Sequence, residues 1–106
     1  SKSSDIIVSA GRGAGDNVEK VKAFAKQINA ELGASRGLVD LGKIEYDKQI
    51  GLTGKTVSPK IYIAIGISGA VHHTCAIEGA DTIIAVNPDK NARIFEYADF
   101  GIADYF

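Results

Sequence analysis

"KIYIAIGISGAVHH", residues 60–73, runs an apolar segment into small residues and then into two histidines. Ile61, Tyr62, Ile63, Ala64 and Ile65 are apolar in succession, so the segment reads as a strand buried on both faces. Gly66, Ser68 and Gly69 follow at once, as where a strand turns straight into a helix, and "SGAVHHTCAI" is read as that helix. A strand with two apolar faces belongs in a parallel sheet covered by helices.

The flanking sequence repeats the pattern. "DIIVSA" (5–10), "DTIIAVN" (81–87) and a short piece near 31–35 read as further strands, and "ADFGIA" (98–103) as a last one. Between the first two elements, "DNVEKVKAFAKQINAEL" places Val18, Val21, Ala25, Ile28 and Leu32 at spacings of three and four, one apolar helical face. Asp16 is expected to cap this helix with Glu19 as the reciprocal partner, and Gly33 to close it or form the turn beyond. "RGLVDLG" reads as a helical turn and "KQIGLTGKTVSP" as loop. The expected architecture is a doubly wound, Rossmann-like parallel sheet in one domain, residues 1–106.

Bulk properties narrow the function. The chain has 106 residues, 45% hydrophobic and 24% charged, with a net charge of −1. Lysines alternate with acids, so no basic face for nucleic acid is expected. No apolar run approaches the roughly 20 residues of a membrane span. The single cysteine, Cys75, excludes an internal disulfide and suits a reducing compartment. Methionine is absent even at position 1, as expected of a processed chain or one cut from something longer.

Ligands of open parallel sheets bind beyond the carboxyl ends of the strands. Here those ends read "SAGRGAG", "GASRG", "GISGAVHH" and "VNPDKN". Gly66 and Gly69 would let backbone approach a ligand, and a helix beginning near Ser68 would aim N–H groups at a diphosphate. The same residues also make a tight turn without a ligand. Neighbouring helical residues point about 100° apart, so one of His72 and His73 can face such a site. Other motifs fail on spacing. His72 and Cys75 share a helical face, but a structural zinc site needs four ligands and beyond His72, His73 and Cys75 the chain has no Cys or His. "GLTGKT" lacks the first glycine of a phosphate loop, Gln49 standing there. "SAGRGAG" has Asp16 where a dinucleotide fingerprint needs its third glycine.

Taken in order, "GRG" (11–13), "GASRGLVDLG" (33–42), "DKQIGLTGKTVSPKIYIAIGISGAVHH" (47–73), "IIAVNPD" (83–89) and "FEYADFGIADYF" (95–106) resemble the flavin-binding domain of the electron transfer flavoprotein alpha subunit. The resemblance implies a three-layer α/β sheet of the DHS-like NAD/FAD-binding fold, carrying FAD in an extended pose. It implies that Arg12 lies near the diphosphate and flavin, and that Ser35 and Arg36 lie near the ring. Ile50, Gly51, Leu52 and Thr53 would run along the ring. Ser68, Gly69, Ala70, Val71, His72 and His73 would cover the diphosphate and then the ring's carbonyl edge. Asn87, Asp104 and Tyr105 would hold the adenosine end. Leu52 and His72 depart from the family, which usually and often, respectively, has Gln there. The ending "GIAD" is one residue shorter than the family's.

The implied activity is that of an electron carrier without a catalytic nucleophile or base, passing single electrons from a dehydrogenase flavin to a downstream acceptor through an anionic semiquinone. Implied partners are a beta subunit and flavin dehydrogenases, with no nucleic acid and no membrane insertion, in a bacterial cytoplasm or a mitochondrial matrix. The resemblance also implies that the chain is the flavin domain without the family's amino-terminal domain and last residues. Two rivals fit the residues alone: a domain of related fold holding a nicotinamide or thiamine cofactor, and a ligand-free interaction domain.

Overall fold

The structure is a computed structural model that describes residues 5–34, 59–68 and 79–104, with backbone alone for Arg12, Gly15, Asp16 and Ala34. Five strands, β1 (Ile6–Ala10), β2 (Glu31–Ala34), β3 (Ile61–Ile65), β4 (Thr82–Val86) and β5 (Phe100–Ile102), form one parallel sheet in the order β2-β1-β3-β4-β5. In register, Ala10 stands beside Ala34 and Ile65, and Ile65 beside Val86. The chain winds outward from β1 to β2, returns past β1 to β3, and then winds the other way. Winding therefore reverses between β1 and β3, and a crevice forms there above the strand ends.

Alternation along the strands sorts the core into two clusters. Val8, Ala10 and Ile65 face one side and pack with Val18, Val21 and Ala25 of helix α1 (Val18–Gln27). Burying each valine contributes roughly 1.5–3 kcal/mol. Ile7, Tyr62, Ala64, Ile83 and Ala85 face the other side and pack with Ile67 and Ile94. Ile94 belongs to a 3-10 helix, Arg93–Glu96, for which the sequence offered no periodicity to read. Both sheet faces are thus covered, as the doubly wound reading expects.

The ends of α1 differ from expectation. The chain turns into a 3-10 helix, Arg12–Asn17, as soon as β1 ends, so Asp16 lies inside that turn. Asn17 is the cap residue of α1 and makes no side-chain cap hydrogen bond. Glu19, the expected reciprocal partner, pairs instead with Lys22 at 3.2 Å. At the other end Asn29, with φ of 58°, takes the left-handed conformation that closes the helix. Its N–H donates to Lys26 O at 3.1 Å and the next, from Ala30, to Ala25 O at 2.8 Å, the two bonds of a Schellman turn. Gly33 does not close the helix; it is buried in β2. The segments "RGLVDLG" and, before Pro59, "KQIGLTGKTVSP" lie outside the described residues, as does "SGAVHHTCAI" after Ser68.

β5 is the sheet's edge among the described residues and leaves Phe100 and Ile102 exposed, with Tyr97 just before it. Asp99 fixes its start, accepting the Ile83 N–H at 2.8 Å through Oδ2.

Tyr62 is fully buried at the centre of the second cluster. Burial pushes its phenol well above the usual tyrosine range, and the Ser9 hydroxyl offsets this only in part. Ser9 Oγ is itself buried and makes no well-formed hydrogen bond. Because the folded-state pKa is raised, the stability from the buried phenol is complete below the ordinary tyrosine value of about 10. It falls above that pH by about 1.4 kcal/mol per unit, since the unfolded chain loses a proton that the folded chain keeps. Tyr62→Phe is expected to flatten the alkaline fall, measured as denaturant midpoints between about pH 9 and about pH 11. An equally steep fall in the Phe variant would assign it to another group.

Candidate functional site

Every strand points the same way, so the exits of all five share one edge. The hydrogen-bond ladders continue one residue past three of them. Gly11 N–H donates to Ile65 O, Gly66 N–H to Val86 O, and Asn87 N–H to Ile102 O, at 2.8, 2.8 and 3.0 Å. The rim is therefore fixed backbone from the β1 exit to the β5 exit.

At the winding reversal the turns after β1 and β3 meet through glycine. Gly13 N–H donates to Gly66 O at 2.8 Å. A Cβ added at Gly13 would lie 2.8 Å from Gly66 O and 2.9 Å from Gly66 Cα. Gly66 has φ of 68°, and a Cβ there would overlap Ala14 N and Gly13 C. A β-carbon would therefore be strained by conformation and blocked by backbone at once. The bare Cα of Gly66 serves the contact between two protein turns, a reason beyond the ligand approach read from the sequence. With no side chain between them, the two turns bring backbone to the floor of the crevice, as a dinucleotide's diphosphate requires.

Among the expected site residues, Arg12 opens the 3-10 helix that follows β1, beside this floor. Ser68 is exposed at the mouth, and its carbonyl accepts the Ile94 N–H at 3.0 Å. Asn87 is buried directly after β4. Asp104 is exposed two residues past β5. At the usual strand spacing of about 4.8 Å, the exits of β1 and β5 stand roughly 14 Å apart. The edge thus brings these four positions together along one line. Ser35, Arg36, Ile50, Gly51, Leu52, Thr53, Gly69, Ala70, Val71, His72, His73 and Tyr105 lie outside the described residues. The sequence named Gly13 only as part of a glycine-rich turn and not as the partner of Gly66, and it did not single out Ile94, which lies in a segment without period. No group of three or more potential metal ligands occurs among the described residues. No described helix is long and apolar enough to cross a membrane.

A profile described as the electron transfer flavoprotein FAD-binding domain matches residues 2–78. The chain belongs to the electron transfer flavoprotein alpha family. It is 53% identical over 100 residues to Protein FixB of Azotobacter vinelandii, covering 92% of this chain and 28% of that protein. It is 52% identical over 99 residues to the electron transfer flavoprotein subunit alpha of Mycobacterium leprae, covering 92% of this chain and 31% of the relative. The Pseudomonas aeruginosa subunit alpha is 47% identical over 104 residues, with 95% and 34% covered. The chain thus spans about a third or less of the curated relatives it matches. The family's cofactor is FAD, which decides against the nicotinamide and thiamine rivals. The glycine floor at the β1–β3 reversal fits its diphosphate.

The glycine contact gives a direct test. Gly66→Ala is expected to lower stability by roughly 2–4 kcal/mol, combining left-handed strain with overpacking. Gly13→Ala lacks the strain and is expected to cost about 1–3 kcal/mol. Denaturant unfolding measures both, and equal costs would show that the positive φ of Gly66 carries no strain.

Proposed function

We propose that the protein relays single electrons, accepting them from the flavin of a dehydrogenase and passing them to a downstream acceptor, with FAD held along the strand exits. The observation that carries this reading is a family match over residues 2–78 together with a side-chain-free crevice at the winding reversal. FAD, when bound, supplies a ring system that takes up one electron at a time.

The chain's own residues would hold and tune it. The backbone of the 66–68 turn and Arg12 would face the diphosphate, whose charge a guanidinium complements. Ser35, Arg36 and the loop Ile50, Gly51, Leu52 and Thr53 would line the ring. Ser68, Gly69, Ala70, Val71 and His72 would continue the cover, and His73 would offer an N–H to the ring's carbonyl edge. A donor or fixed positive charge there stabilises added negative charge. Asn87, Asp104 and Tyr105 would define the adenosine end. No residue need act as nucleophile or general base. A beta subunit is the expected partner, alongside flavin dehydrogenases.

Visible absorption tests the reading first: the purified protein is expected to be yellow, or to stay yellow after incubation with FAD and removal of the unbound cofactor. A protein that is colourless once unbound FAD has been removed would refute it. Arg36→Ala is then expected to lower the first reduction potential by on the order of 60 mV, a tenfold change for one electron. His73→Ala is expected to lower the yield of one-electron-reduced flavin in a reductive titration. Parental values in both variants would remove these two residues from the ring.

A further inference from the structure

Asn87 is 5% exposed, and both ends of its side-chain amide are engaged. Its Nδ2 donates to the Ile67 carbonyl at 3.0 Å, and its Oδ1 accepts the Asp89 N–H at 2.9 Å. Its peptide N–H donates to Ile102 O. One residue therefore ties the β3 exit to the β4 and β5 exits.

The tie falls on the turn that forms the crevice wall. Gly66 is held through its N–H by Val86 and through its carbonyl by Gly13. Ser68 is held through its carbonyl by the Ile94 N–H. Ile67, between them, is held through its carbonyl by the side chain of Asn87. The chemistry restricts the residue type. A carboxylate in the same place has no proton for Ile67 O, and alanine offers neither donor nor acceptor. Glutamine carries both but is one methylene longer. A short amide donates to one loop and accepts from the other.

We infer that Asn87 is a positioning residue, which acts on the bound dinucleotide by fixing the Ile67 carbonyl and with it the backbone of the 66–68 turn. This deepens the FAD reading above and rests on it. The two bonds within the protein set the cradle's shape, and they leave the second Nδ2 proton and the second Oδ1 lone pair for the adenosine end.

The test uses Asn87→Asp in the full-length protein, because aspartate keeps the acceptor for Asp89 and removes the donor for Ile67. Amide hydrogen exchange is measured without cofactor, and FAD affinity by fluorescence. The Ile94 and Gly13 amides, which donate into this turn, are expected to exchange at least tenfold faster, while those of Val8 and Ile63 in the sheet centre stay protected. FAD is expected to bind about tenfold more weakly. Weaker FAD binding with Ile94 and Gly13 still protected would make Asn87 a direct ligand contact and overturn the inference. Lost protection with unchanged affinity would overturn it too. Failure of the parent protein to take FAD would strike the functional reading instead, and exchange at Ile94 and Gly13 would still decide whether Asn87 holds the turn. If the variant does not fold, the unmodified protein gives the answer: a scalar coupling across the bond from Asn87 Nδ2 to Ile67 O should persist when FAD is added. Its disappearance on loading would overturn the proposal.

Discussion

The contact between Gly13 and Gly66 is the constraint on which the rest of the rim depends. Two turns leave neighbouring strands and must cross within the width of one hydrogen bond, 2.8 Å from nitrogen to oxygen. Neither turn can carry a side chain at that point. Once the turns meet, β1 and β3 are fixed side by side with their exits level, and the reversal of winding has its floor. The ladders running on through Gly66, Val86, Asn87 and Ile102 extend that rigidity to the sheet's edge. A site built on strand ends held in this way keeps its backbone donors and acceptors oriented before any ligand arrives, which lowers the ordering cost of binding.

Much of this fold was legible in the residues. β3 appears as an uninterrupted apolar run, and β1 and β4 as apolar runs broken only by Ser9 and Thr82, because parallel strands are buried on both faces; β2 and β5 were found near their observed positions. Val18, Val21 and Ala25 gave the buried face of α1 for the same physical reason. Helix ends were read less well. Asp16 carries a capping side chain, but the chain had already begun to coil at Arg12, so the cap position fell on Asn17. Gly33 looked like a terminator, yet Asn29 tolerates the left-handed conformation and reached it first. The Arg93–Glu96 turn was illegible, because one turn of 3-10 helix is too short to show a period.

The site divides along a similar line. Glycine, serine and asparagine at strand ends marked the edge correctly, since the parallel sheet alone dictates that its exits gather. Which neighbour each residue meets was not written locally. Gly66 looked like a ligand contact and also serves Gly13 and Ala14. Asn87 reads as a nucleotide contact, and its amide also joins two loops separated by 20 residues. Such pairings follow from which strands lie side by side, and one strand's own sequence does not encode that.

The peptide at Gly66 also bears on how the chain can change over time. Any single-base change in a glycine codon that alters the amino acid introduces a β-carbon or stops translation. At this position a β-carbon meets backbone, which cannot rotate away as a side chain can. A neighbouring substitution that shrinks a side chain offers no relief, because Gly13 has none to shrink. The position is therefore mutationally isolated: no one-step path leads away from glycine without moving two strands at once.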